Sequence, residues 1–240
     1  MSLRAAVVPV LPSWSHDGAE PLSSLCLHGQ PLYVHAARAL ASLRGARVLV
    51  TTPTGSGVAV RDALSDAGLA GVRVREGVAT VGAALETAMD DLTSSSGPAA
   101  GHEVGVVLLH DPRCPLLPPS YLHEVLDRAV DEPGAVHVGA RAVTDTVKTV
   151  DDGHVLATVD REVLRVLTSP LAVSVATLRQ LHGDARLGEC ADMIDVIELF
   201  REARMPVRWV AAPSMGRRIA DKAEVALLEC LVEVRAGTRG

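Results

Sequence analysis

A chain of 240 residues with a formal charge of −6 is long enough to bury a sizeable core, and its apolar share excludes wholesale disorder. The acidic balance, with no basic cluster interleaved with aromatics, excludes a general nucleic-acid binder. No apolar run approaches the roughly twenty residues that span a bilayer, so no membrane partner is expected.

The elements predicted in chain order alternate between strand and helix. "AAVVPVL" (5–11) reads as a β-branched strand, and the loop after it runs Val10-Leu-Pro-Ser-Trp-Ser-His-Asp. Helical periodicity follows over 32–43, a strand over 46–52, a helix over 57–68 and a strand over 71–76. A helix over 80–92 leads into the linker-like "TSSSGPAAGHE" (93–103), read as a surface loop before a central strand at 104–110. Pro118 and Pro119 stop the chain ahead of a helix over 120–130, with Ser120 as its expected N-cap. After a strand at 135–143 the pattern changes to a period of two around Asp151-Asp152-Gly153, a hairpin signal. Helices are expected at 173–183 and 190–203, a strand near 206–211, and a last helix from about 221, where Asp221 and Glu224 have capping-box spacing.

Two Trp, two Tyr and one Phe leave the core to Ala, Val, Leu and Ile. The four cysteines form no Cys-x-x-Cys pair, which fits unpaired thiols in a reducing cytoplasm. Runs buried on both faces, alternating with helices, imply a mostly parallel sheet covered on each side. Such sheets bind ligands beyond the carboxyl ends of their strands, where this chain carries His110-Asp111-Pro112-Arg113-Cys114-Pro115. An Asp there can hold a divalent metal or a ribose hydroxyl, and Arg113 can face a phosphate; a loop Asp capping neighbouring amides is the plainer reading of the spacing alone. The nine histidines show no metal spacing, and neither a Gly-x-Ser-x-Gly elbow nor a Gly-x-Gly-x-x-Gly turn occurs.

Taken together, "LLHDPRCPL", "VTDTVKTVDDGHVLATVDREVLRVLTSP" and "RRIADKAEVALLE" resemble the 2-C-methyl-D-erythritol 4-phosphate cytidylyltransferases of the non-mevalonate isoprenoid pathway. The middle stretch is the most specific, with its Asp-Thr-x-Lys arm and Thr-x-Asp-Arg-x-x-Leu return. The resemblance implies an α/β fold, a three-layer α/β/α sandwich of nucleotidyltransferase (Rossmann-like) type. It implies a single domain over 1–240 with a protruding β-arm at about 143–163, and a homodimer whose arms cross into the partner. The implied reaction joins CTP to methylerythritol phosphate, a sugar or polyol phosphate, with Mg²⁺ and release of pyrophosphate. Catalytic roles fall on Asp111, also the implied metal ligand, and on Arg218, which stands where the family has a lysine. Thr146, Arg161 and Thr168 would reach the substrate phosphate, all three matching arm residues; Thr80 and Arg113 would bind the nucleotide.

The opening loop departs from this pattern. The family has Ala-Ala-Gly-x-Gly-x-Arg and then Pro-Lys, whose backbone N–H groups and cations wrap a triphosphate. Here Pro12 lacks an N–H, Leu11 and Trp14 replace conformationally free residues, and Asp17 and Glu20 add negative charge. No Lys or Arg lies between Arg4 and Arg38, and the chain has only two lysines, Lys148 and Lys222. The loop therefore predicts a homologue that has lost most or all CTP-dependent transfer. The alternative is a working cytidylyltransferase in which Arg113, Arg217 or Arg218 supplies the missing charge.

Overall fold

Strand β6 (Val106–Leu109) sets the architecture, because all four of its residues are buried and successive side chains point to opposite faces. Val107 and Leu109 join one apolar cluster and Val106 and Leu108 another. A strand buried on both sides requires a helical layer on each. The computed structural model, which describes residues 4–9, 25–94, 105–181 and 185–237, supplies them. Loop residues 10–24, which hold Trp14 and the other departures from the family pattern, lie outside the described residues, as does most of the linker-like stretch.

Around β6 the described residues form a seven-stranded sheet. Its members in chain order are β1 (Arg4–Pro9), β4 (Ala46–Thr52), β5 (Arg73–Glu76), β6, β7 (Val136–Ala142), β10 (Arg165–Ser174) and β11 (Val207–Ala211). Their spatial order is β11-β7-β10-β6-β1-β4-β5, and β10 runs antiparallel to both neighbours while the other pairings are parallel. On one face, α3 (Val81–Ser94), α5 (Val175–Leu181), α6 (Ala185–Glu189) and α7 (Met193–Glu202) bury Leu85, Leu178, Leu187 and Phe200 against Val7, Val107 and Val173. On the other, α1 (Leu32–Ala41), α2 (Gly57–Asp66) and α4 (Pro119–Asp131) bury Val34, Leu64 and Leu126 against Ala6, Val50 and Leu108. The short hairpin of β2 (Cys26–Leu27) and β3 (Gln30–Pro31) packs with α8 (Lys222–Gly237) in a third cluster around Leu27, Leu32, Ile219 and Leu228. The expected mostly parallel sandwich is the observed one.

Three local expectations need correction. Helix α4 is not capped by Ser120: its N-cap is Pro118, with Pro119 inside the first turn and no side-chain cap. Proline's fixed φ and missing N–H suit that first turn, so the helix starts without a hydroxyl. The helix expected at 173–183 starts two residues later, because 165–174 is strand β10. Ser174 ends that strand, accepts the Thr177 N–H at 3.0 Å and so caps α5. A proline inside a central strand argues against that strand, but here Pro170 sits at a register shift between Leu167 and Leu171, where no ladder bond is required of it. The last helix does begin at Asp221, whose side chain accepts the Glu224 N–H, but the Glu224 carboxylate reaches the Ala220 N–H and Arg217 instead of closing a capping box.

The predicted hairpin is present as β8 (Val147–Asp151) and β9 (His154–Val159), paired in their own two-stranded ribbon. Asp152 and Gly153 both have positive φ, 43° and 75°, as a two-residue hairpin turn demands. The ribbon exposes Val150, Val155 and Leu156 at 59–65 % of their surface.

The core analysis gives a stability test. Phe200 is fully buried between α7 and the sheet, so Phe200→Ala should destabilise the protein by about 3–5 kcal/mol. Val58→Ser, at a residue 63 % exposed on α2, should change stability by no more than about 0.5 kcal/mol. Urea denaturation of the two variants checks both.

Candidate active site

Strand β6 ends at Leu109, and the chain then delivers His110 and Asp111 to the carboxyl edge of the sheet. The His110 N–H is held by the Val7 carbonyl at 2.9 Å, which fixes the exit against β1. Both residues are fully buried. The Asp111 carboxylate accepts from the Arg113 backbone N–H at 2.9 Å, and Arg113 Nε and Nη2 approach Oδ1 and Oδ2 at 3.2 and 3.1 Å. Arg218 Nε stands 3.0 Å from Oδ2, an ion pair whose angles fall outside a directed hydrogen bond. Burial alone would raise the Asp111 pKa; the Arg113 and Arg218 charges outweigh it and hold the carboxyl below its ordinary range.

Arg218 reaches this carboxylate because two contacts tie its segment to the site loop. The Ile219 N–H donates to the Arg113 carbonyl at 2.8 Å, and the Thr168 hydroxyl donates to the Gly216 carbonyl. Gly216 packs closely there: a Cβ would lie 2.9 Å from the end of the Leu117 side chain, which would have to shift. The irregular centre of β10 supplies a third segment. The Ser169 hydroxyl accepts the Asp111 N–H at 2.9 Å and lies 2.6 Å from His110 Nδ1. At 2.6 Å the contact is made either by the hydroxyl donating to Nδ1 or by an Nδ1–H donating to the hydroxyl, and the other ring nitrogen is Nε2. That Nε2 is buried and has no hydrogen-bond partner. Opposite, Gly139 admits this bulge: a Cβ there would lie 2.4 Å from the Ser169 carbonyl oxygen.

Burial lowers the His110 pKa to about 4, against the opposing pull of Asp111, so the ring is neutral at physiological pH. Burial, with Asp111 adding to it, pushes the Cys114 thiol up to about 11, so this cysteine is a protonated packing residue rather than a nucleophile.

The structure therefore brings together Asp111, Arg113 and Arg218 of the residues singled out from sequence. Thr168 lies nearby through Cys114 and Gly216, but on buried strand β10 and not on the arm where the family pattern would put it. Thr146 and Arg161 are exposed at the arm, and Arg161 donates to the Thr144 carbonyl at 2.7 Å. No hydrogen bond or ion pair among the described residues brings either to Asp111. Thr80 caps α3, accepting the Ala83 N–H at 3.1 Å and donating to the Gly188 carbonyl at 2.6 Å. Sequence reasoning does not single out His110 or Ser169 as site residues.

The chain that builds this site, an aspartate flanked by arginines beyond the carboxyl end of a central strand, matches a known enzyme family. The family model described as IspD, 2-C-methyl-D-erythritol 4-phosphate cytidylyltransferase, matches residues 17–234. The chain belongs to this family. The cytidylyltransferase of Streptomyces coelicolor is 32% identical over 187 residues, 75% of this chain and 67% of that one. The bifunctional enzyme IspD/IspF of Nitratidesulfovibrio vulgaris is 30% identical over 209 residues, 85% of this chain, and the chain spans about half, 51%, of its length. Among solved structures, the 4-diphosphocytidyl-2C-methyl-D-erythritol synthase of Anaerococcus prevotii aligns with a TM-score of 0.74 at 14% identity, over 97% of this chain and 96% of that one. The cytidylyltransferase of Thermus thermophilus aligns at 0.70 and 23% identity, over 97% of this chain and all of the other. These two show the shared fold.

The cytidylyltransferase-family site should carry a pH signature. A buried histidine whose pKa is lowered to about 4 binds fewer protons than its unfolded form near 6.5. Its stabilisation is complete above about 6.5 and is lost as the pH falls towards about 4, by at most roughly 3 kcal/mol. Asp111, with its lowered pKa, loses stabilisation in the same direction at lower pH. The difference in unfolding free energy between wild type and His110→Gln should thus change with pH between 6.5 and 4 and be flat above; a difference flat throughout would contradict the burial argument.

Proposed function

We propose that this chain keeps the cytidylyltransferase frame and binds phosphate-bearing ligands, but transfers cytidylyl groups from CTP slowly or not at all. One observation carries the reading: both oxygens of Asp111, the buried carboxylate at the site, face guanidinium groups of Arg113 and Arg218. The described residues do not fit Mg²⁺ in this arrangement, because a cation would meet two positive charges at Asp111, the one carboxylate that the described residues bring to this point. Among the described residues no group of three or more His, Cys, Asp or Glu could hold a metal. The sequence of the opening loop supports the same reading. It lacks Lys and Arg throughout 5–37, and the family match begins only at residue 17, after Val10–His16. Loss of one preorganised donor costs about 10²–10³ in rate, and the loop replaces several.

The remaining roles follow from what each side chain has left to offer. Thr80 has spent its hydrogen on Gly188 and one lone pair on Ala83, which leaves one lone pair to accept from a base amino group. Arg113 and Arg218, 14 % and 27 % exposed, supply fixed positive charge to a phosphate at the sheet edge. Thr146 and Arg161 would contribute to the substrate phosphate from a partner's arm, since in their own chain they remain at the ribbon. That places a homodimer in the reading. An isolated two-stranded ribbon is marginal in water, and Val150, Val155 and Leu156 need a surface to cover them. No helix among the described residues is long and apolar enough to cross a membrane, and we place the protein in the cytoplasm.

A second reading rests on the same two arginines. With both cations already in place, they could stabilise the charge that the opening loop no longer neutralises, and the protein would be a working enzyme making CDP-methylerythritol.

Pyrophosphate release from CTP, with and without methylerythritol phosphate, separates the two readings. We expect release at or barely above background; turnover that requires both substrates at about 1 s⁻¹ or faster, the ordinary range of enzyme turnover, would establish the second reading. In the same preparation, Arg161→Ala should abolish measurable binding of methylerythritol phosphate by calorimetry, whereas unchanged binding would leave the arm residues a solvated face. Light scattering should give the mass of a dimer, and a monomer at micromolar concentration would remove the arm's role.

A further inference from the structure

At the opposite end of the sheet's parallel strands, where β4 and β5 begin, an open cleft of about 380 Å³ is lined by Arg47, Arg73, Gly68 and Gly71 among others. That volume falls in the range of small-ligand sites. Its two arginines are fixed from behind by one carboxylate, Asp91 of α3, whose side chain is 5 % exposed. Arg73 engages both Asp91 oxygens, and Arg47 Nη2 donates to the Asp91 backbone carbonyl at 3.0 Å. Arg47 Nε stands 3.9 Å from Asp91 Oδ2, too far for a hydrogen bond, and is a buried donor without a partner.

The charges do not balance. Among the described residues that line or back the cleft, two guanidinium groups share the Asp91 carboxylate, which leaves a net positive charge at the cleft wall. The arginines are also pre-organised: Asp91 removes much of the side-chain freedom that a ligand would otherwise have to freeze out. The Nε and Nη2 of Arg47 face Asp91, so what the cleft offers is the exposed part of the two guanidinium groups, 29 % of the Arg47 side chain and 40 % of the Arg73 side chain, whose remaining N–H donors suit a tetrahedral oxyanion. The glycines at the rim carry no side chain to fill the space in front of them, and a Cβ on Gly71 would meet nothing within 4 Å.

We infer that this cleft is a second anion site, taking a small phosphorylated molecule and separate from the Asp111 site. It lies at the amino ends of β4 and β5, which run parallel, through β1, to β6, and it is β6 whose carboxyl end leads to His110 and Asp111, so the two sites occupy opposite ends of the parallel strands of one sheet.

Inorganic phosphate is the probe. Titrated into ¹⁵N-labelled protein, it should shift the arginine Nε–H resonance of Arg47 saturably, with a dissociation constant of about 1 mM or tighter. Read at the Arg73 Nε–H of the same cleft, which should shift with the same dissociation constant, Arg47→Gln should weaken phosphate binding about tenfold or more. Arg218→Gln, which alters the Asp111 site, should leave the Arg47 response unchanged. That arm separates this inference from the proposed function, since failure of either site leaves the other's signal readable. A non-saturating or absent Arg47 shift in wild type would overturn the inference, as would a response that Arg218→Gln removes. The wild-type titration decides the matter even where Arg47→Gln does not fold.

Discussion

The site depends on the desolvation of one carboxylate. Asp111 leaves the end of β6 in a position with no access to water, and a buried carboxylate without partners costs several kcal/mol. Its environment answers that cost three times, with the Arg113 N–H, the Arg113 guanidinium and the Arg218 guanidinium. Each answer draws a different part of the chain to the same point. Arg113 is local, two residues on. Arg218 arrives from beyond β11 and needs the Ile219–Arg113 and Thr168–Gly216 contacts to reach it. The segment connecting β11 to α8 is therefore tied to the centre of the sheet, although most of its residues are at the surface.

The same constraint explains the neutral histidine beside it. A charged imidazole at His110 would compensate Asp111, and Asp111 does pull its pKa upward, yet burial wins and the ring stays neutral. Charge compensation thus falls to the two guanidinium groups, which keep their protons at any accessible pH. The imidazole instead orients Ser169, and Ser169 holds the Asp111 backbone. This division makes the carboxylate's position independent of pH over the neutral range, where a histidine ion pair would not.

Much of this fold could be read from the sequence, because β6, β4 and β1 are short β-branched runs separated by helices of clear periodicity. The hairpin was legible from Asp152-Gly153, whose backbone demands are local. Strand β10 was not legible: Ser169-Pro170 in its centre reads as a turn, and only pairing with both β6 and β7 makes it a strand. The site divides along the same line. Strand-end placement points to Asp111 and Arg113, although spacing alone reads more plainly as a capping Asp, and Arg218 enters only through the resemblance, where it stands in place of a lysine. The Ser169–His110 pair joins residues 59 positions apart across an antiparallel pairing that the sequence pattern hides. Thr80 shows the limit from the other side: its position reads as a ligand contact, but its bond to Gly188, 108 residues away, gives it structural work that no local pattern signals.

The arginines also bear on how a family frame can persist while its opening loop changes. In a nucleotide site the positive charge is ordinarily spread over loop backbone, side chains and metal, so that no single source is decisive. Here the described sources have contracted to Arg113 and Arg218, and both are engaged by the carboxylate that would otherwise attract a cation. An anion entering the site competes with Asp111 for them, whereas a cation is repelled until they move. Under the proposed function the order of events would be set by charge: a phosphate would have to draw at least one guanidinium away before Asp111 has an oxygen to offer. A loop rich in lysine and glycine would make that exchange easy by supplying donors of its own. Val10–Leu22 offers in its sequence Asp17, Glu20 and two prolines without an N–H, so among the described residues the exchange would rest on two side chains that the fold already needs to keep Asp111 buried. Retaining the frame and easing the chemistry make opposing demands on the same pair of arginines.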